Sequence, residues 1–143
     1  MTAASQSTAR EIAAVVSRIQ RRLREVSHIE TVTPSMASVL DRLDKEGPAS
    51  TSDLARAERV RPQSMAATVA ALEKGGFIER HPCPADNRRH LIALTRVTGA
   101  QIALNRQARS DWLATGLDEN FTAAERADIA KAVRLLARLA EHQ

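Results

Sequence analysis

The positively charged side chains of this chain are concentrated in the middle of its sequence. Of 21 Arg or Lys and 17 Asp or Glu, residues 54–96 hold eight and four, an excess of +4, and the rest of the chain holds 13 of each sign. A local excess of guanidinium and ammonium groups attracts the phosphates of nucleic acids. The chemistry indicated is electrostatic binding of a polyanion, and the alternative is an ordinary solvated face.

A helix predicted over residues 62–74 carries the side chains suited to contact base edges. Pro62 favours the first helical position, and Gly75-Gly76 supplies the left-handed residue that often follows a helix. The helical period assigns a buried side to Met65, Ala66, Val69 and Leu72. The outward side is short-chained and comprises Gln63, Ser64, Ala67, Thr68 and Ala71.

Small outward side chains would let this helix approach bases and thymine methyl groups closely. Gln63 has the amide that pairs with adenine, and Arg61, just before the helix, can reach guanine or a phosphate. The alternative interpretation is that Ala67 and Ala71 pack against another helix. We therefore predict a DNA-contacting face that includes Ser64 and Thr68.

A β-hairpin with a charged tip is predicted after this helix. Residues 77–81 and 91–95 have the composition of strands, and the polar residues 82–89 join them as a long loop. A hairpin tip fits the minor groove of DNA, where concentrated negative potential attracts guanidinium groups. We predict that Arg88 enters that groove and count Arg89 among the DNA-binding residues; the alternative is a solvated loop.

Helices surround these elements. Residues 10–27 carry an apolar stripe at helical spacing, and Thr33-Pro34 begins a second helix that Gly47-Pro48 ends. Ser50 and Asp53 fit a capping box before a short helix at 54–57. Residues 97–141 contain two more helices, with a capping box from Phe121 to Glu125 between them. The fold class is thus mainly α with a small β-hairpin.

Two motifs resemble the MarR family of regulators. Residues 86–95, DNRRHLIALT, are similar to the family's wing motif D-x-R…L-x-L-T, and residues 72–80, LEKGGFIER, are similar to its L-E-x-x-G-x-(I/V)-x-R junction. The resemblance extends over essentially the whole chain. It implies a winged helix-turn-helix at residues 33–96 with its wing at 77–95, in a single domain covering residues 1–143.

The resemblance also implies a function. Members of the family are usually homodimeric repressors that bind inverted-repeat operators and are released by a small molecule, so double-stranded DNA, a second copy and an effector are the implied partners. Residues 10–32 and 97–141 would form the dimerisation helices. In the family the wing Arg enters the minor groove and the Asp two positions earlier orients it, which assigns these roles to Arg88 and Asp86. Arg61 stands where the family usually has a small polar cap.

Other classes of function have little support in the sequence. The motifs of common enzymes are absent, so we expect no catalysis and no cofactor. His81, Cys83 and His90 flank the hairpin, but they lack the spacing of a four-ligand zinc site. One cysteine without a partner, no long apolar run and no basic, apolar leader predict a cytoplasmic protein without a membrane segment. The sequence does not indicate a ligand-binding site.

An interaction module that keeps this fold without binding DNA is the alternative function. Such an adaptor would not need a positive charge concentrated in the outward helix and the hairpin. The charge distribution therefore favours the DNA-binding regulator.

Overall fold

We analysed a computed structural model of the chain, which describes residues 2–27 and 32–141, apart from the side chain of Asn87. The described residues form six helices and two strands. Their order is α1 (Ala3–Val26), α2 (Pro34–Glu46), α3 (Thr51–Ala57), α4 (Pro62–Lys74), β1 (Ile78–Cys83), β2 (Asp86–Leu94), α5 (Arg96–Asn120) and α6 (Ala123–Ala140). The predicted fold class, mainly α with a β-hairpin, is confirmed.

Local capping interactions explain where the helices begin. The side chains of Thr33 and Ser50 accept hydrogen bonds from the backbone N–H groups of Met36 and Asp53, which caps α2 and α3. Thr122 and Glu125 form the reciprocal capping box at the start of α6. These side chains satisfy backbone donors that a helix leaves unpaired at its first turn.

The starts of α1 and α3 differ from the prediction: α3 begins at Thr51, directly after its capping residue Ser50, and not at residue 54. The first helix begins at Ala3, where Thr2 caps it, and not near residue 10. Its first turns carry small and polar residues without an apolar stripe, so periodicity does not reveal them. Residues 28–31 of the predicted 10–32 segment lie outside the described residues.

The chain divides into two compact units. The first unit contains the described residues up to Ser27 and those from Arg106 onward. The second unit contains the described residues between Ser27 and Arg106. The division falls within α5, whereas the predicted boundary lay before residue 97. In the first unit, Arg109 donates from Nε and Nη2 to Ser27 Oγ, at 3.0 and 2.7 Å, linking α5 to the end of α1.

The second unit contains the hydrophobic core. Helices α2, α3 and α4 and the base of the hairpin each contribute buried aliphatic side chains. Leu54, Val69, Leu72 and Ile92 have no exposed surface. The buried set is Val39, Leu40, Leu43, Leu54, Ala55, Met65, Val69, Leu72, Ile78 and Ile92. This core fixes α3, α4 and the hairpin relative to one another.

The two strands are antiparallel and pair from Ile78 opposite Leu94 to Pro82 opposite His90. Ala49 forms an isolated bridge to Ile92, in which each backbone N–H donates to the other carbonyl, at 3.1 and 2.7 Å. The loop predicted at residues 82–89 is wrong, because Pro82, Cys83 and the residues from Asp86 onward belong to the strands. The hairpin tip is short.

Candidate nucleic-acid interface

The turn between α3 and α4 is fixed by one carboxylate. Glu58 accepts hydrogen bonds from the Ser38 hydroxyl at 3.0 and 2.9 Å and from Arg42 Nε at 3.0 Å, which ties the turn to α2. The hydrogen bond to Glu58 is the largest of the influences that raise the pKa of Arg42. Arg59 follows with φ at 55°, the left-handed region that non-glycine residues rarely adopt. No pattern in the sequence indicated that Glu58 makes these contacts.

Helix α4 presents a small, uncharged surface. Gln63, Ser64 and Ala67 are exposed, as predicted, and Thr68 is half-buried. The Thr68 hydroxyl donates to the Ser64 carbonyl at 3.1 Å, so its hydrogen is already used within the helix. From Ser64 to Ala71 no exposed side chain is larger than Thr, which leaves the backbone open to close approach by a partner.

The buried side of α4 is narrower than predicted. Met65, Val69 and Leu72 are buried, but Ala66 is exposed, and its predicted position on the buried side is wrong. One residue rotates a helix by about 100°, so the position after Met65 lies at the flank of the buried stripe. The uncharged surface is correspondingly wider.

Arg61 is the N-cap residue of α4, and its side chain makes no capping hydrogen bond. Its backbone is extended, with φ −66° and ψ 145°, and Pro62 occupies the first turn. The Arg61 side chain is exposed, and it belongs to a helix end whose first backbone N–H groups have no partner within the helix; both kinds of group attract anions. This end of α4 therefore favours a phosphate or another anion.

The hairpin has an irregularity where its arginines lie. The pairing passes from Pro82 opposite His90 directly to Cys83 opposite Asp86, so residues 87–89 of β2 have no partner residue in β1. Bulges of this kind redirect side chains locally. Arg88 is exposed, and among the described residues its guanidinium has no hydrogen bond or ion pair.

Asp86 contacts the backbone of Arg88 and not its guanidinium. The Asp86 Oδ1 atom accepts a hydrogen bond from the Arg88 N–H at 3.0 Å. The contact restrains the backbone from which the Arg88 side chain extends. An orienting effect of Asp86 would therefore act through the backbone conformation of the bulge.

Arg89 points to α3. Its Nη2 atom donates to Ser50 Oγ at 2.9 Å and lies 3.6 Å from Asp53 Oδ2. On the other strand, Arg80 Nε lies 2.6 Å from Glu73 Oε2 of α4. The sequence indicated Ser50 and Asp53 only as the start of a helix, and it indicated neither the contact of Arg89 with α3 nor that of Arg80 with α4.

The residues weighed for metal binding have other environments. His81 Nε2 lies 3.0 Å from Glu79 Oε1, and Cys83 is a half-buried free thiol opposite Asp86. Within residues 2–27 and 32–141, no three His, Cys, Asp or Glu side chains are arranged to hold a metal ion. None of the described helices has the length and hydropathy needed to cross a membrane.

Two helices joined by a tight turn and followed by a β-hairpin on the same core define a winged helix-turn-helix protein. The MarR family model matches residues 32–90. An HTH-type transcriptional regulator of Mycobacterium tuberculosis is 36% identical over 109 residues, covering 76% of each chain. The chain belongs to the MarR family of transcriptional regulators, as its two motifs indicated.

Solved structures agree with this assignment. A crystal structure from Pseudomonas aeruginosa is 33% identical, covers 100% of both chains and has a TM-score of 0.88. A MarR family protein from Bacillus stearothermophilus is 19% identical, covers 99% of both chains and has a TM-score of 0.79, which shows the shared fold.

Proposed function

We propose that this chain is a cytoplasmic, homodimeric, ligand-responsive repressor that binds double-stranded DNA through α4 and the hairpin. The observation that carries the proposal is the exposed Arg88 on a bulged strand, whose guanidinium is unpaired among the described residues, on the same core as the uncharged face of α4. An exposed guanidinium on the same core as a surface of small side chains suits duplex DNA, which offers both phosphates and grooves lined by base edges.

The two elements have different roles in this proposal. Arg88 enters the minor groove and contributes to binding of most sequences, with Asp86 restraining its backbone. Gln63, Ser64, Ala67 and Thr68 face base edges in the major groove, and Arg61 contacts a phosphate or guanine at the start of α4. Positioning contacts supply affinity, and base contacts supply specificity.

Substitution separates these roles. Arg88→Ala should weaken binding to most duplexes and reduce the slope of log affinity against log salt by about 1. Gln63→Ala and Ser64→Ala should each cost roughly 1–3 kcal/mol on the cognate site and much less on random DNA. Glu119→Gln, an exposed position near the end of α5, serves as a folded control. Wild-type binding by Arg88→Ala would contradict the minor-groove role of Arg88, and failure of the wild type to bind any duplex would favour the adaptor function instead.

Exposed aliphatic side chains in the first unit support the dimer. Val15 and Ile19 of α1 are 42% and 40% exposed, and Val133 and Leu136 of α6 are 56% and 40% exposed. No hydrophobic residue of either helix is buried. A second copy of the chain would cover such stripes across a two-fold axis. Sedimentation at micromolar concentration tests this, and a monomer with or without DNA would contradict it.

A dimer predicts a symmetric operator. Half-site centres should lie about 10 bp apart, because two-fold symmetry of the protein is matched in the site. Sequencing chromosomal fragments retained by the purified protein identifies the operator and the regulated genes. Inserting about 5 bp between the half-sites turns one to the opposite face of the duplex and should abolish paired binding. Undiminished binding would contradict the dimeric arrangement.

A further inference from the structure

Part of β2 lacks the backbone pairing that normally holds a strand in place. Towards its base, Ile92 is fixed by the backbone bridge to Ala49. Residues 87–89, nearer the tip, have no partner in β1. This bulge also carries Arg88, the cation of the proposed minor-groove contact. Some other interaction must hold the bulge in one place if Arg88 is to be directed consistently.

The described contacts offer Arg89 for that role. Its guanidinium donates to Ser50 Oγ at 2.9 Å, and Ser50 is only 5% exposed. The same hydroxyl oxygen accepts the backbone N–H of Asp53 at 3.1 Å as the N-cap of α3. Arg89 is therefore attached to a rigid helix terminus in the core, and Asp53 adds a carboxylate 3.6 Å away.

The contact is better suited to setting geometry than to stabilising the fold. The side chains of Arg89 and Asp53 are 52% and 46% exposed, and ion pairs exposed to this degree contribute little to the free energy of unfolding. Among the described residues, Arg89 bonds to α3, whereas the neighbouring Arg88 is exposed and its guanidinium makes no hydrogen bond or ion pair. The link to α3 therefore leaves Arg88 available to a partner.

We propose that Arg89 is a positioning residue: its link to Ser50 and Asp53 holds the bulge against α3 and so directs Arg88 toward DNA. The inference rests on the proposed function for the role of Arg88, but the link itself exists without DNA. It replaces our sequence-based interpretation of Arg89 as a DNA contact. The opposing hypothesis is that Arg89 leaves Asp53 and binds a phosphate directly.

The first test needs no DNA. Cys83 is the only cysteine of the chain and lies at the end of β1, beside the tip, so a nitroxide attached to it reports motion of the hairpin. Arg89→Ala should shorten the rotational correlation time of the label. Arg88→Ala removes the adjacent arginine, whose guanidinium has no partner among the described residues. It is the matched control and should leave the correlation time unchanged. Equal mobility in the wild type and Arg89→Ala would overturn the proposal.

A second variant covers the case in which Arg89→Ala does not fold. Asp53→Asn keeps the arginine and the backbone N–H that Ser50 caps, but removes the carboxylate. The proposal expects a smaller gain in label mobility in this variant. No gain in a folded Asp53→Asn protein would contradict a role for the ion pair in holding the bulge.

The second test uses a chromosomal fragment selected by the wild-type protein. If Arg89 acts through Arg88, then Arg89→Ala weakens binding, and the Arg88→Ala/Arg89→Ala protein binds no more weakly than Arg88→Ala alone. If Arg89 contacts a phosphate itself, the losses add and the double variant loses about 2 from the salt slope. Additive losses would overturn the proposal. Failure of the wild type to bind any duplex would refute the proposed function, while the label experiment would still test the link.

Discussion

The Thr95 hydroxyl links the base of the hairpin to the start of α5 by hydrogen bonds. Thr95→Val removes these hydrogen bonds while nearly preserving the shape of the side chain. Its hydroxyl donates to the Gly76 carbonyl at 3.0 Å and lies 2.8 Å from the Thr98 hydroxyl. It also accepts the Thr98 backbone N–H at 3.3 Å, as an N-cap does. Because the single Thr95 hydrogen is directed at Gly76, the Thr98 hydroxyl donates to Thr95.

The expected cost of Thr95→Val follows from these three interactions. Loss of a Thr cap costs about 1 kcal/mol, and loss of the hydrogen bond to Gly76 costs about 1 kcal/mol. The Thr98 side chain, on a residue only 5% exposed, loses its partner, which adds roughly 1 kcal/mol. Since these losses overlap, we expect the free energy of unfolding to fall by about 2–3 kcal/mol.

Urea unfolding at a fixed protein concentration measures this change. With a slope of about 2 kcal/mol per molar urea, the midpoint should fall by more than about 1 M. Thr95→Ser keeps the hydroxyl and should cost less than about 1 kcal/mol. Adding Thr98→Val to Thr95→Val should restore part of the loss, because no buried hydroxyl is then left without a partner. A midpoint for Thr95→Val equal to that of Thr95→Ser would refute the reasoning.

Three further predictions concern the turn, the helix end and the link to α3. Arg59→Gly should raise the free energy of unfolding by roughly 0.5 kcal/mol. The left-handed conformation costs a non-glycine residue about 1–2 kcal/mol, but glycine loses more backbone entropy on folding, which offsets part of the gain. A lower urea midpoint for the variant would contradict this. Gly75→Ala should lower the free energy of unfolding by about 1–3 kcal/mol, although the φ of Gly75 suits any residue. The added Cβ would lie 2.7 Å from Phe77 Cε2, so the packed ring must move. A variant as stable as the wild type would show that the ring moves freely. Hydrogen bonding to Ser50 lowers the pKa of Asp53 below its ordinary value of 3.8, so the charged carboxylate stabilises the folded state above pH 3.8, and this stabilisation is lost as the pH falls through the lowered pKa. The mobility of a label on Cys83 should therefore stay constant from about pH 8 to pH 5 and increase only below about pH 4. An increase in mobility near pH 6 would contradict this.

Interactions within a few residues could be predicted from the sequence alone. The Thr33-Pro34 start of α2, the Ser50 cap of α3 and the 62–74 bounds of α4 are all confirmed. Each depends on residues three or four apart, where residue type and spacing fix the hydrogen bond. The two motifs then identified the family, which the comparisons confirm.

Contacts between distant residues could not be predicted in this way. Arg89 and Ser50 are 39 residues apart, and neither position belongs to a periodic pattern that relates it to the other. Strand β1 extends through Pro82 because Pro82 pairs with His90 of β2, although these residues lack the alternation typical of strands. The same absence of pattern concealed the Glu58 contacts with α2.

One edge of the hairpin is unpaired among the described residues, and its composition bears on aggregation. Ala49 pairs with β2, so β1 is the open edge of the small sheet. Open edges recruit strands from neighbouring molecules and can begin aggregation. Here the edge carries Glu79, Arg80, His81 and Pro82, all exposed: three bear charged or ionisable side chains, and the proline has no N–H to donate. Two molecules crowded side by side therefore meet a short, charged edge that discourages growth of a shared sheet.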